Sequence, residues 1–384
     1  MTADRYARLR ETATFRGDGF TRWQHALLGV IGCGTLGSRL APEIVRSGAN
    51  VWMCDFGQAE THNLGTQAVR AGLSKVETIV RACDEIRPGA SSGMSVDIRR
   101  VGVGVLRQCD VLVDCSDDPR LAYVLTEVAN GLGKPLLRVA VDGSGKREFG
   151  RVVCSDATNG SCQICTHTFE DLAASRPRQS CPGAPTPARP ATHAGGALAS
   201  VMAGIALLQA QRLVTGNDLD QVRDREILVD LELFSILPAT VRRSADCLSG
   251  HVAWDLVDMP SSASTCLGDV YDEAARLVGD DQFALEPYGH AWCLHASCEC
   301  GAGRAAVGSI WAPAPTCVSC GKPMKWQADT QVTALQRSAA DDLGILPRTL
   351  TELGLPEQGA LFVARIPDRP PVRLVLGDTR PLPS

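Results

Sequence analysis

The sequence predicts an α/β protein with a Rossmann-like, mostly parallel sheet, helices on both of its faces, and a small β-rich zinc-binding domain at the C-terminal end. Three observations carry this. From Gly29 to Val153 short apolar runs alternate with helical patterns, as in a parallel sheet covered on both sides. The stretch Gly32-Cys33-Gly34-Thr35-Leu36-Gly37 places a G-x-G-x-x-G turn between the first apolar run and the first helix, where close backbone approach to phosphate and a helix N-terminus favour an anion. Far downstream, Cys298-Glu299-Cys300-Gly301 and Cys317-Val318-Ser319-Cys320-Gly321 form two knuckles around a strand-like stretch near Val307 to Trp311. Glycine after each cysteine pair frees amides to turn toward thiolates, the signature of a zinc ribbon.

At 384 residues and 45% hydrophobic content the chain is long enough for two or three domains with a substantial core. Division is expected as an arm over 1–26, a nucleotide-binding domain over 27–260 and the β-rich domain over 261–384. With 38 basic against 43 acidic residues and a net charge of -5, there is no global footprint for nucleic acid. Sixteen cysteines without a secretory leader lead to the expectation of a reducing, cytoplasmic setting, where thiols serve metals and chemistry. Gly195 to Leu208 is apolar, but Gln209, Gln211 and Arg212 follow, short of the ~18 to 20 residues a membrane span needs. A buried helix is expected there, and no membrane partner.

In chain order, Asp4-Arg5-Tyr6-Ala7-Arg8-Leu9 is too polar for core and reads as a solvated arm. Leu27 to Ile31 is the first strand and Val51 to Cys54 the second. Asp55 follows the last glycine of the turn by roughly the ~20 residues expected for an acid that bonds a ribose hydroxyl. Val111 to Cys115 and Leu136 to Val141 read as buried strands, Ser74 to Ile86 and Leu121 to Leu132 as helices. Asp55 and Asp117 thus fall at carboxyl ends of strands, where such sheets bind ligands.

Cys162-Gln163-Ile164-Cys165 and Cys247-Leu248-Ser249-Gly250-His251 supply two ligand pairs for one tetrahedral zinc with no vacancy. The alternative is a redox pair of Cys162 and Cys165. Between these pairs, Ala173 to Thr192 is crowded with Pro, Ser, Arg and Ala and reads as a loop carrying Cys181. In the last domain Cys298, Cys300, Cys317 and Cys320 are the expected second zinc ligands, against a reading as scattered core cysteines. Cys293 and His295 are spare candidates. Ala360 to Ile366 and Val372 to Leu376 complete the domain as core strands.

After Asp55 the chain continues Phe56-Gly57-Gln58-Ala59-Glu60-Thr61-His62-Asn63-Leu64-Gly65-Thr66-Gln67, then Gly72-Leu73-Ser74-Lys75, and later Asp114-Cys115-Ser116-Asp117. These elements resemble the ThiF/MoeB/HesA family of adenylyltransferases, relatives of the ubiquitin-activating enzymes, and the matching elements run in order from Arg5 to about His251. The resemblance implies ATP, not a dinucleotide, and attack by a carboxylate on its α-phosphate. It implies that Gly32, Gly34, Thr35, Leu36 and Gly37 cradle the nucleotide, that Asp55 fixes the ribose, and that Asn63 and Gln67 line the triphosphate. Lys75 would neutralise phosphate charge and Asp117 would hold Mg²⁺. Arg8, on an arm that crosses to a second subunit, would complete the site of a homodimer. Cys181 would receive the activated acyl group or take part in sulfur transfer, with an incidental linker cysteine as the alternative.

The implied partner is a small ubiquitin-like or sulfur-carrier protein with a free C-terminus, or a short peptide in natural-product assembly. A NAD-dependent oxidoreductase and a non-catalytic ATP-binding scaffold are readings of other classes. Departures from the family pattern exist. Thr66 stands where N-L-x-R-Q has arginine and cannot supply its charge, Arg70 is the expected compensation, Gly57 replaces an acid, and the segment from Asn63 to Lys75 is short.

Overall fold

The computed structural model describes residues 4–143, 147–156, 158–168, 170–171, 195–260, 264–327, 330–356 and 358–377, and its compact units divide between Trp254 and Asp255. Residues Arg99–Leu106 belong with the second unit.

The first unit is built on an eight-stranded sheet. Its strands are β1 (Leu27–Ile31), β2 (Asn50–Cys54), β3 (Ser91–Met94), β4 (Val111–Asp114), β5 (Leu136–Asp142), β6 (Phe149–Ser155), β7 (Arg225–Asp230) and β8 (Ser235–Thr240), in the order β3-β2-β1-β4-β5-β6-β7-β8. β1 to β5 pair in parallel, and β6, β7 and β8 each pair antiparallel with the strand before, with the long helix Gly196–Thr215 lying between β6 and β7 in the chain. β1, β2 and β4 are buried almost throughout, which is why each reads as an unbroken apolar run. Strand order reverses between β1 and β4, and a crevice outside their carboxyl ends follows from that reversal.

Helices α1 (Gly37–Arg46), α2 (Lys75–Ile86), α3 (Pro119–Leu132) and α4 (Gly196–Thr215) accompany this sheet. Ser74 caps α2 by accepting the Glu77 amide at 3.0 Å, and Asp118 caps α3 ahead of Pro119, so both starts use ordinary capping chemistry. α4 is long and apolar enough to cross a membrane by length and composition. It is a core helix: Leu198, Ala199, Met202, Ala206 and Ala210 are buried. A Cβ at Gly150 would come 2.0 Å from the Met202 sulfur, so glycine in β6 is what lets α4 lie close.

The second unit holds a five-stranded sheet in the order Leu335–Gln336, Ala284–Pro287, Leu361–Arg365, Val372–Leu376, Leu256–Met259. The helix Leu267–Val278 buries Leu267, Val270, Tyr271 and Ala274 in its core. A smaller sheet, centred on Trp292–Ser297 and paired with Gly303–Gly308, Lys325–Trp326 and Gln331–Val332, carries the cysteine knuckles. The strand between the knuckles is therefore Gly303–Gly308, slightly earlier than the stretch the sequence marks. Residues 99–106 are held by backbone: Gly104 donates to the Gly359 carbonyl at 2.9 Å, and a Cβ at Gly102 would meet the Gln358 carbonyl at 2.0 Å.

Candidate functional site

The glycine turn leaves β1 at the strand reversal. Gly32 takes a φ of +92°, and a Cβ on it would sit 2.9 Å from the Cys115 carbonyl carbon and the Ser116 nitrogen, so the turn lies directly against the end of β4. A Cβ on Gly37 would meet the Gly32 carbonyl at 2.0 Å. Only glycine allows α1 to start there. Gly34 is the reverse case, with nothing within 4 Å of its Cβ position. Among the described residues the amides of Gly34, Thr35 and Leu36 meet no hydrogen-bond acceptor. Together with the start of α1 they form a ready anion cradle.

Asp55, at the end of β2, holds the turn from the other side. Its Oδ2 accepts the Cys33 amide and its Oδ1 the Gly57 amide, both at 2.6 Å. A carboxylate has about four lone-pair positions, so capacity remains for ribose hydroxyls. Lys75 opens α2 beside it. A Cβ placed on Gly57 would be 2.9 Å from Asp55 Oδ1 and 3.2 Å from Lys75 Nζ, so the absence of a side chain at 57 brings this acid and this cation to one place. The register is set by backbone: Lys75 donates to the Gly57 carbonyl at 3.1 Å, and Gly72 and Ala59 exchange with Ala59 and Leu73 at 2.9 Å.

Asn63 is buried, and its Oδ1 accepts the Glu60 amide at 2.9 Å in a capping box. Its side-chain nitrogen has no partner among the described residues. Gln67 donates its amide to the Asn63 carbonyl at 2.8 Å, while its own Oε1 is buried without a partner. Buried polar atoms left unmatched are rare. The buried Gln67 Oε1 and the unpartnered Asn63 side-chain nitrogen suit a polar ligand.

Asp117 is exposed just past β4. The sequence reading missed what positions it. Asp114 is fully buried, accepts the Ser116 amide at 2.9 Å and hydroxyl at 2.6 Å, and pairs with Arg138 from β5 at 3.4 Å. Burial pushes the Asp114 carboxyl up, and the Arg138 charge pulls it back. A strand-end acid gave no local signal that its partner lay on the next strand.

Arg8 is exposed on the short helix Ala7–Arg10, with no hydrogen bond or ion pair among the described residues. Its neighbours tie the arm down: Tyr6 packs on Phe20 with ring centroids 5.4 Å apart, and Arg5 donates to the Ile86 carbonyl at 2.8 Å. Arg70 is likewise exposed. Cys181 lies outside the described residues.

The first metal-ligand set converges. The donor atoms of Cys162, Cys165, Cys247 and His251 all lie within 4.8 Å of one another, with Cys162 Sγ 3.8 Å from Cys165 Sγ and 3.6 Å from Cys247 Sγ, and Cys165 Sγ 3.1 Å from His251 Nε2. Ligands about 2.3 Å from a tetrahedral zinc are about 3.8 Å apart, so the set fits one ion. Gly250 and His251 reach it through left-handed backbone, φ +66° and +51°. In the second unit Cys298, Cys300, Cys317 and Cys320 form the same kind of group, with Cys298 and Cys320 3.4 Å apart and Cys300 and Cys317 3.6 Å apart. The Ser319 and Cys320 amides draw the Cys317 thiol down, while the neighbouring thiols push Cys300 and Cys320 up, as crowded thiols without a cation between them do. Four cysteines meet here without Cys293 or His295.

A model of the ThiF family matches residues 6–248. The adenylyltransferase and sulfurtransferase MOCS3 of Drosophila grimshawi is 26% identical over 225 residues, 55% of this chain and 46% of that protein. The adenylyltransferase and sulfurtransferase UBA4 of Kluyveromyces lactis is 28% identical over 156 residues, 38% of this chain and 34% of that one. The matches thus span less than half of these relatives. Among solved structures, E. coli MccB with succinimide superposes with a TM-score of 0.52 at 18% identity, over 65% of this chain and 74% of that chain. MccB with AMPCPP and MccA gives 0.52 at 17%, over 66% and 75%; these likenesses bear on the fold.

Proposed function

The chain belongs to the ThiF family, and from that premise we propose that it is an ATP-dependent adenylyltransferase activating the C-terminal carboxylate of a small ubiquitin-like or sulfur-carrier protein. The observation that carries the reading is the convergence at Asp55, which grips the glycine turn through Cys33 and the Gly57 segment beside Lys75. The partner's carboxylate oxygen attacks the α-phosphorus, the bond from that phosphorus to the bridging oxygen breaks, and pyrophosphate leaves with the electron pair. Two anions must meet, so positioning and positive charge do the work.

In this reading Asp55 takes the ribose hydroxyls, and the Gly34, Thr35 and Leu36 amides take phosphate oxygens with Gly32 and Gly37 shaping the turn. The Asn63 amide nitrogen donates to the triphosphate, Gln67 lines it, and Lys75 offsets its charge. Asp117 would hold Mg²⁺, which when bound neutralises phosphate charge. We place Arg8 in the site of a second copy, which makes the enzyme a homodimer. Transfer to Cys181 would follow as thiolate attack on the acyl carbonyl with departure of AMP. The two cysteine sets would hold structural zinc, and the second unit would hold the partner or acceptor.

A protein partner is favoured by one face of the sheet. Phe149, Leu228 and Leu237 share that face by register and are 46%, 39% and 57% exposed, interleaved with Asp230, which pairs with Arg147, and Arg151, which pairs with Glu226. Exposed apolar side chains set among paired charges suit macromolecular contact. Activation of a short peptide is the second reading, since the same nucleotide site would serve it. Incubation with ATP, Mg²⁺ and a glycine-ended ubiquitin-like protein tests the proposal: mass spectrometry should find the partner as its adenylate. ATP cleavage without adenylated partner would refute it.

A further inference from the structure

Arg39, on the first turn of α1, joins the two segments proposed to face the phosphates. Its Nη1 donates to the Thr35 carbonyl at 2.7 Å and also to the Thr66 carbonyl, while its Nε donates to Ser200 Oγ at 3.2 Å. A Cβ on Gly196 would stand 3.1 Å from Nη2, so the start of α4 leaves the guanidinium just enough room. Arg39 is half-buried, and burial alone draws its pKa down. Among the described residues no carboxylate pairs with it. Other arginines of this unit do have one, as in Arg16–Asp218 at 2.6 Å and Arg46–Glu43 at 3.2 Å. Desolvating a cation without a counter-charge is costly. Neutral carbonyls hold this one in place without cancelling its charge.

We propose that Arg39 is a triphosphate-binding residue, supplying from α1 the positive charge that Thr66 cannot supply from the Asn63–Gln67 segment. The Thr66 backbone carbonyl is what aims it, so the side chain missing at 66 is replaced by one anchored to the same residue. Arg70, the compensation expected from sequence, is exposed and makes no such contact among the described residues. The inference rests on the adenylation reading, and concerns which residue meets the polyphosphate.

Calorimetric titration of the full chain with ATP and, separately, with AMP tests it. Arg39→Ala should weaken ATP roughly 10- to 100-fold, as expected for loss of a charged hydrogen bond, and AMP less than about 3-fold. Arg39→Gln keeps a donor for the carbonyls without the charge and decides the matter if the alanine variant does not fold; it should behave like Arg39→Ala. Adding Thr66→Arg to either variant should restore most of the ATP affinity. Equal loss of ATP and AMP, or unchanged ATP affinity, overturns the proposal and leaves Arg39 a structural clamp. A wild-type chain that binds no ATP overturns the adenylation reading itself, and this inference with it.

Discussion

The Asp55 carboxylate accepts the Cys33 amide at 2.6 Å, so the acid at the end of β2 fixes the glycine turn at the end of β1. Its second oxygen does the same for Gly57. Asp55→Ala should therefore act on folding and binding together. Loss of an acceptor for two amides costs about 1–3 kcal/mol each, and affinity for AMP and ATP should fall in parallel. Chemical denaturation beside AMP titration checks both; full AMP affinity in a destabilised variant would contradict the ribose role.

Lys75 should separate from Asp55 in its effect. Its side chain is half-exposed and makes no ion pair among the described residues, so Lys75→Ala should leave melting within a few degrees of wild type. Pyrophosphate exchange should drop about 100-fold or more, as when one preorganised charge is removed from a developing anion. Steady-state exchange with AMP binding as the control measures this.

The buried Asp114–Arg138 pair predicts a pH-dependent defect. Arg138→Met leaves Asp114 buried and unpaired, a loss of about 3–5 kcal/mol at neutral pH. Burial already raises the Asp114 carboxyl, and removing the arginine raises it further. A folded-state pKa above the unfolded one means that stability is lost as pH rises through that window. The defect should therefore shrink as pH falls from about 7 to about 5. Urea unfolding at several pH values reads it; a defect that grows toward acid would contradict the assignment.

Each cysteine set should bind its own zinc. Cys247→Ser should remove one ion per chain and lower melting by roughly 5–10 °C, and Cys317→Ser should remove the other. Metal analysis of the purified chain reads the stoichiometry. Unchanged zinc in both variants would exclude these ligands.

Most of the candidate site is legible in the sequence because its parts are local. β1, β2 and β4 are buried, so they print continuous apolar runs, and the glycine turn, Asp55, Asn63 and Lys75 follow them at short spacing. Cysteine pairs are legible for the same reason. What the sequence hides depends on distant neighbours. β7 and β8 leave Leu228, Ile236 and Leu237 exposed and so print little core signal. Residues 99–106 join the second unit through glycine backbones at Gly102 and Gly104, with no apolar period to mark the event. Nothing in the sequence marks Arg39, because its role depends on the Thr66 carbonyl that the fold brings to it.

The central claim is carboxylate activation, and ATP–pyrophosphate exchange tests it most directly. Wild-type chain with Mg²⁺ and either a glycine-ended ubiquitin-like protein or a short peptide should exchange labelled pyrophosphate into ATP only when its carboxyl partner is present. Asp117→Ala should abolish the signal. Bound ATP with no exchange for any partner, or exchange that survives Asp117→Ala, would contradict the account.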